Sequence, residues 1–173
     1  IIPRKTIGEL RKLIEDIDGN INLYISDTKI KFEVTDISLT SKLIDGTFPD
    51  YERVIPKTNT KIMSVKTSDF ASSIDRVGTI SSDKSKAVKF LIKDNSLTLT
   101  VTNPDTGTAV EKVDVIYDSD DLEVGFNARY LLDIASQIDG DTMTFTLEDA
   151  GAPALINDSA HKNATYVLMP MRV

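Results

Sequence analysis

The 173-residue chain contains no cysteine, so disulfides and thiolate metal sites are excluded. This absence is in keeping with a reducing compartment such as the cytoplasm. No apolar run approaches the roughly 20 residues that a helix needs to cross a bilayer. One histidine is present, His161 in the polar stretch SAHKNAT, and there is no glycine-rich phosphate loop, serine nucleophile elbow or metal-ligand spacing. We therefore expect a protein without catalytic residues and without a cofactor.

The net charge of the chain is −7. Averaged over the surface, this charge argues against nucleic acid, because affinity for phosphate comes mainly from Lys and Arg. A protein can nevertheless be acidic overall and basic on one side, so the positions of the 20 basic residues matter more. The acidic run DSDD (118–121) carries carboxylates that suit a divalent cation. It lacks the EF-hand spacing, and we interpret it as a charged turn between strands.

One sequence pattern occurs twice. IDGNINL (17–23) returns as IDGDTMT (138–144), and at the same spacing upstream Thr6 corresponds to Asn127. Both residues are favoured helix N-caps, and Glu9 completes a capping box with Thr6. Self-similarity of this length indicates a repeated structural unit. We predict that each copy begins with a helix of about three turns that ends near the IDG sequence.

Alternating apolar and polar residues follow each predicted helix and indicate strands. A further short helix, capped by Thr67 or Ser68, is predicted to extend to about Val77. The predicted strands are 21–27, 29–36, 37–44, 61–67, 87–94, 96–103, 109–117, 122–126, 142–149, 153–159 and 165–171. The prediction is an α+β fold of three repeated strand-helix-three-strand units with antiparallel sheets. Two units join as residues 61–173, one stands alone as residues 1–46, and the proline-containing stretch 47–60 links them.

Basic residues recur on or beside the predicted helices. The apolar stripe of the first helix consists of Ile7, Leu10, Leu13, Ile14 and Ile17, and such a stripe packs on a sheet. Arg11 and Lys12 fall on the opposite face. The other basic residues of this set are Arg4, Lys5, Arg76, Lys84, Lys86 and Arg129. Exposed basic residues on one helix are usually only solvated, but their recurrence in every unit favours a function.

Four stretches carry a resemblance to a known family. They are IIPRKTIGEL (1–10), TSKLIDGTFPDYERVIPK (40–57), EVGFNARYLLDIASQI (123–138) and YVLMPMRV (166–173). With them the chain resembles the bacterial DNA polymerase III beta subunit, the sliding clamp. The FPDYxRVxP and YVxMPMR patterns are long and specific, and the resemblance covers all 173 residues.

The resemblance implies a place for the chain in a longer subunit. A family subunit has three domains, each built of two such units. Residues 1–46 then correspond to the second half of the middle domain, 47–60 to the interdomain linker and 61–173 to the complete C-terminal domain. The chain is expected to be a truncated, C-terminal part that cannot close a ring by itself.

The family also implies a function. Two full-length subunits form a homodimeric ring around duplex DNA, with helices lining the hole and sheets outside, and serve the replicative polymerase as a processivity factor in the cytoplasm, at the nucleoid. Sliding needs weak phosphate contacts without base readout. The residues expected to face DNA are Arg4, Lys5, Arg11, Lys12, Arg76 and Arg129, with Lys84 and Lys86 as further candidates. Thr79 and Ile80 match the joint between subunits.

The family's C-terminal strand lines an apolar cleft that takes short linear motifs of DNA polymerases, the clamp loader and repair proteins. The matching residues here are Pro49, Arg53 and Val54 from the linker, Asn127 and Tyr130 from the third helix, and Val167, Leu168, Met169, Pro170, Met171 and Arg172. Methionine adapts to varied partners, and proline suits a strand edge. Since side chains alternate along a strand, Pro170 and Met171 are stronger candidates than Leu168 and Met169. Val167 and Leu168 also suit a core.

Some features depart from the family pattern. Ser85 stands where well-known members carry phenylalanine, and Gly151 and Pro153 occupy rim positions where larger or hydroxyl residues are familiar. Without a partner unit, the apolar stripe of the first helix loses cover and residues 1–3 become an unpaired edge strand. Residues 1–46 are then expected to swap with, or dock against, a second copy. The alternative is a β-rich, repeat-built interaction module without a role on DNA. The salt dependence of DNA binding by an intact ring would distinguish this module from a sliding clamp.

Overall fold

The computed structural model describes residues 1–81, 86–161 and 163–173. They form two compact units, Ile1–Asp50 and Tyr51–Val173, and the division between these units falls inside the predicted linker. No helix in the described ranges is long and apolar enough to span a membrane. Lys84 and Ser85 lie outside the described residues, so the expectations for them have no structural counterpart.

The first unit combines one helix with a three-stranded antiparallel sheet. Helix α1 spans Arg4–Ile14, and the sheet contains β1 (Asn22–Ile25), β2 (Lys29–Val34) and β3 (Ile37–Lys42) in that order. Every second side chain of β2 is buried; these residues are Ile30, Phe32 and Val34. The predicted strands are therefore present, each a few residues shorter than its alternating sequence.

Helix α1 starts earlier than its sequence predicts. Its N-cap is Pro3, and no side chain caps it, so the prediction that Thr6 caps the helix is wrong. The Thr6 side chain is buried, and its Oγ1 lies 2.7 Å from Oγ of Ser41 on β3. Glu9 pairs with Lys12 rather than completing a capping box. The reason is tertiary: the hydroxyl that could cap the helix instead ties it to the sheet.

The apolar surface of the first unit is only partly covered. Ile7 and Leu13 of the α1 stripe are exposed, and so are Leu23, Tyr24 and Ile25 of β1. Residues 1–3 do not form the expected unpaired strand, because Ile44 N–H donates to the Ile1 carbonyl oxygen (2.9 Å).

The second unit contains two strand-helix-three-strand halves. The first half comprises β4 (Lys61–Lys66), α2 (Thr67–Gly78), β5 (Ala87–Lys93), β6 (Ser96–Asn103) and β7 (Gly107–Tyr117). The second half comprises β8 (Leu122–Asn127), α3 (Ala128–Ala135), β9 (Thr142–Leu147), β10 (Ala154–Asp158) and β11 (Thr165–Leu168). The strands form one antiparallel sheet in the order β11-β10-β9-β4-β7-β6-β5-β8.

The two halves are interleaved, because the first strand of each half pairs with the other half. Strand β4 pairs with β9 over six residue pairs, and β8 pairs with β5 over another six. Four fully buried phenylalanines from α2, β5, β8 and β9 meet in one core beneath the helices; they are Phe70, Phe90, Phe126 and Phe145. Neither half has a complete core alone, so together they form one folding unit.

Side chains fix the loops around α2 and α3. The N-cap of α2 is Lys66, and the predicted cap Thr67 instead donates its hydroxyl to the Gly140 carbonyl oxygen (2.9 Å). Asp158 is a buried carboxylate that accepts backbone N–H groups of Asp139, Gly140 and Ala160 at 2.8–3.0 Å. The IDG sequence after α3 is therefore held on one side by α2 and on the other by β10.

Candidate functional site

The C-terminal residues turn away from strand pairing at the proline. Strand β11 ends at Leu168, which is 6% exposed and belongs to the core, whereas Met169 is 58% exposed. Pro170 has no N–H to donate, so the ladder with β10 does not continue. The chain then meets β8, where Met171 N–H donates to the Gly125 carbonyl oxygen (2.8 Å) in an isolated antiparallel bridge.

The first turn of α3 lies immediately after that bridge. Asn127 is the N-cap, as predicted, and its Oδ1 accepts the N–H groups of Arg129 (2.9 Å) and Tyr130 (3.4 Å). Tyr130 is 56% exposed. The Gly125–Met171 bridge therefore brings the candidate residues of the C-terminal run and of α3 to one edge of the second unit.

Gly125 is a further residue of the candidate site, and the sequence analysis does not single it out. A Cβ at this position would lie 2.6 Å from the Met171 carbonyl oxygen and closer still to the Val173 side chain. Glycine inside a strand often marks the close approach of another backbone segment. The sequence signal is therefore the glycine within the alternating stretch LEVGF.

The remaining candidate cleft residues come from around the division between the units. Arg53 ends a short helical turn, Tyr51–Arg53, and Val54 N–H donates to the Tyr51 carbonyl oxygen (3.1 Å). Val54 is exposed in the second unit, and Pro49 is exposed in the first. Val167 on β11 is half-buried, as are Pro170 and Met171, while Arg172 is exposed.

The basic residues of α1 reach solvent. Arg4, Lys5, Arg11 and Lys12 are all exposed, and the Lys12 ammonium lies 3.2 Å from the Glu9 carboxylate. This exposed pair lies on the helix surface, where such pairs contribute little to stability. The side chains are therefore accessible to an anionic partner.

Arg76 on α2 already has an anionic partner. Its guanidinium binds the Glu111 carboxylate of β7, with Nε 2.9 and 3.1 Å from the two carboxylate oxygens, and Nη2 donates to Ser73 Oγ (3.0 Å). The hydrogen bonds that Arg76 donates to the Glu111 carboxylate raise the pKa of Arg76 and lower the pKa of Glu111. Arg129 on α3 is exposed. Arg76 thus offers phosphate less free charge than its sequence position suggests.

The end of α2 is tied to the β6–β7 turn. The Ile80 carbonyl oxygen accepts Asn103 Nδ2 (2.8 Å) and Thr106 Oγ1 (3.1 Å), while Thr79 Oγ1 donates to the Asp75 carbonyl oxygen. Thr79 is exposed and Ile80 is half-buried against the core. The two residues proposed for a subunit joint therefore sit on an anchored segment of the second unit.

Neither His161 nor the acidic run forms a metal site among the described residues. His161 Nε2 lies 2.9 Å from an Asp139 carboxylate oxygen at the surface. Tyr117 donates its hydroxyl to the Asp120 carbonyl oxygen (2.7 Å), which shapes the acidic run into a turn after β7. Within residues 1–81, 86–161 and 163–173, no group of three or more acidic or histidine side chains is placed to hold a metal.

Comparison with known proteins gives one consistent family. The family profile described as "DNA polymerase III beta subunit, C-terminal domain" matches residues 52–172, and the one described as "DNA polymerase III beta subunit, central domain" matches residues 1–50. The "Beta sliding clamp" of Caulobacter vibrioides is 48% identical over the whole chain, which corresponds to 46% of that protein. The "Beta sliding clamp" of Escherichia coli K12 is 34% identical over the whole chain, or 47% of its length.

A solved structure agrees with the sequence comparison. The griselimycin-bound DnaN sliding clamp (DNA polymerase III subunit beta) of Bartonella birtlesii superimposes on the whole chain with a TM-score of 0.96 and 53% identity, covering 47% of that structure's chain. The chain spans about half the length of the curated relatives it matches. The chain belongs to the DNA polymerase III beta subunit family.

Proposed function

We propose that the chain works as the C-terminal part of a processivity factor, a dimeric ring that encircles duplex DNA and recruits replication and repair proteins. In this proposal residues 1–46 complete the middle domain of the subunit, 47–60 connect the domains, and 61–173 form the last domain. The chain performs no chemistry of its own but tethers enzymes to DNA. Such a protein acts in the bacterial cytoplasm, on the nucleoid.

The observation that carries the recruitment part is the C-terminal run beside α3. This run follows a core residue directly, and its side chains are exposed or half-buried: Met169, Pro170 and Met171. Tyr130 is also exposed, and it follows the bridging residue Gly125 closely in the sequence. Apolar and aromatic side chains that stay accessible on a rigid scaffold are typical of binding hot spots. DNA polymerase subunits, the clamp loader and repair proteins are the proposed partners, each through a short linear motif.

The DNA part of the proposal depends on scattered cations. Arg4, Lys5, Arg11 and Arg129 are exposed helix residues that can contact phosphate without reading bases. Arg76, held by Glu111, contributes weakly in this arrangement. Weak and dispersed contacts suit a ring that must move along the duplex, since tight contacts would hold it in one place. A joint between subunits at Thr79 and Ile80 completes the proposal.

The recruitment function is tested by fluorescence polarisation with a labelled peptide of the Gln-x-x-Leu-Phe type. We compare the chain with Met171→Ser and with Ile116→Ser as the matched control. Met171 and Ile116 occupy equivalent positions, because each pairs with the third residue before the helix of its half, Gly125 and Ser64 respectively. Ile116 is 75% exposed, so the control removes an accessible apolar side chain from the other half.

We expect saturable binding, weakened about tenfold or more by Met171→Ser and unchanged by Ile116→Ser. Deleting residues 171–173 should abolish it. Equal effects of the two serine variants would contradict the cleft assignment. If no variant binds, repeating the titration with the chain extended upstream to the length of its relatives decides the matter, and absence of binding there refutes recruitment through this surface. The same extended protein should be retained on circular duplex DNA and lost after linearisation.

A further inference from the structure

One backbone hydrogen bond attaches the C-terminal strap, residues 169–173, to the described part of the second unit. It joins Met171 N–H to the Gly125 carbonyl oxygen on β8. In the other half of the unit, the equivalent contact between β4 and β7 extends over three residue pairs around Ser64 and Ile116. The strap occupies the place that the end of β7 has in the other half. It is therefore held by fewer backbone contacts than β7.

The two halves also differ in the residue beneath this contact. Ser64 carries a side chain, whose Oγ lies 3.4 Å from Thr144 Oγ1. At Gly125 no side chain fits, because Met171 and Val173 occupy the space that a Cβ would need. The glycine thus follows from the crossing of the strap and not from the strand pairing alone.

The first unit supplies an independent comparison. Its Ile44 N–H donates to the Ile1 carbonyl oxygen, and Ile1 is the third residue before α1, as Gly125 is before α3. There the third residue before the helix, Ile1, carries a large side chain. The residue two positions after Ile44 is a glycine, Gly46, and a Cβ on it would lie 4.0 Å from Ile1 Cδ1. In the second unit the pattern is reversed, with glycine on the strand and a branched side chain, Val173, on the strap.

We propose that Gly125 is the positioning residue of the peptide-binding surface: the Gly125–Val173 pair seats the strap on β8 and thereby holds Pro170 and Met171 next to α3. This inference rests on the proposed recruitment function and deepens it. Gly125 itself touches no partner. It acts by letting the strap approach, so that the apolar strap residues and the first turn of α3 form one surface.

The geometry predicts what a methyl group at this position does. A Cβ 2.6 Å from the Met171 carbonyl oxygen is closer than ordinary contact by roughly 1 Å, so the strap must move outward by about that distance. The Met171–Gly125 hydrogen bond, now 2.8 Å, would then exceed the length at which it still counts as a hydrogen bond. Core strands stay in place, because Leu168 is the last core residue before the strap.

The experiment compares the chain with Gly125→Ala and with Ser64→Ala, the matched control in the first half. Peptide affinity is measured by fluorescence polarisation with the Gln-x-x-Leu-Phe probe, and strap seating by hydrogen exchange at the Met171 amide. For Gly125→Ala we expect about tenfold weaker peptide binding and about tenfold faster exchange at Met171. Ser64→Ala should change neither, and exchange in β9 should be unchanged in both variants.

A second variant separates positioning from general damage to β8. Adding Val173→Gly to Gly125→Ala removes the two Val173 methyl groups that a Cβ at position 125 would meet and leaves the Met171 carbonyl oxygen in place, so it should restore part of the affinity and of the Met171 protection. Damage to the strand itself would not be rescued from the strap. Wild-type affinity in Gly125→Ala, or lost affinity with a fully protected Met171 amide, would overturn the inference. If the unsubstituted chain, extended upstream as described above, binds no peptide, the proposed function is refuted. Hydrogen exchange at the Met171 amide still shows whether Gly125 seats the strap on β8.

Discussion

The buried phenylalanine cluster gives a prediction whose size follows from the structure. Phe90 is fully buried, and its ring centroid lies 5.2 Å from that of Phe126, 6.0 Å from Phe70 and 6.4 Å from Phe145. Replacing a buried phenylalanine by alanine costs about 3–5 kcal/mol. This cost already includes the lost edge-to-face ring contacts, which are each worth about 0.5–1.5 kcal/mol. We expect Phe90→Ala to destabilise the second unit by about 4 kcal/mol, much of an ordinary domain's 5–15 kcal/mol.

Native-state hydrogen exchange measures this effect locally. Peptides from β6 and β9 should exchange several hundredfold faster in Phe90→Ala, since each 1.4 kcal/mol corresponds to about a factor of ten. Peptides from β2, in the first unit, serve as the internal reference, and Ile116→Ala as the surface control, with a change within about 0.5 kcal/mol. A loss below about 1 kcal/mol would show that the four rings are not a shared core of both halves, and would refute the reasoning.

Two further predictions concern side chains that fix the ends of α3. Asn127→Ala removes the cap of α3 and should lower the free energy of unfolding in urea by about 1 kcal/mol. It should also weaken peptide binding, because Tyr130 loses the hydrogen bond to the Asn127 side chain. Asn127→Asp keeps the acceptor oxygen and should retain both the stability and the peptide affinity. Burial alone raises the pKa of Asp158, but the three backbone N–H groups that it accepts hold its pKa below the ordinary value. Its stabilisation is therefore present above the unfolded-state pKa and is lost as the pH falls through the lower folded-state pKa. The free energy of unfolding in urea should fall less between pH about 7 and about 3 in Asp158→Asn than in the unsubstituted chain. Asp118→Asn, at an exposed position, is the control. An unchanged pH profile in Asp158→Asn would contradict the prediction.

The repeated units could be predicted from the sequence because period-2 alternation and turn residues determine strands locally. All eleven predicted strands exist, although the last ends at Leu168 rather than at residue 171. The local sequence determines helix starts less well. Asn127 caps α3 as expected, while the hydroxyls of Thr6 and Thr67 bind groups far away in sequence, Ser41 and the Gly140 carbonyl. No local rule shows that a favoured cap residue will be used in tertiary contact instead.

The pairing of strands between halves also lies beyond a sequence pattern. Alternation assigns Ser64 and Gly125 to strands, but it does not show that β4 pairs with β9 or that the C-terminal strap crosses β8. The same limit applies to charge. The helical position of Arg76 predicts an outward-facing cation, and only the fold shows that Glu111 on β7 reaches it. The candidate residues of the site came largely from the family resemblance, whereas the contact that joins them came from the structure.

The change from core to surface at the C-terminus takes place between two neighbouring residues. Leu168 is buried in the same cluster as the four phenylalanines, and Met169 is largely exposed, with Pro170 ending the ladder next to it. Truncating Leu168 should therefore weaken peptide binding only as far as it unfolds the second unit. Truncating Met171 should weaken binding while the unit stays folded. An alanine scan of this run therefore needs a stability measurement for every variant. Lost affinity up to Leu168 would indicate unfolding of the second unit, whereas lost affinity from Met169 onward would indicate a lost contact with the peptide.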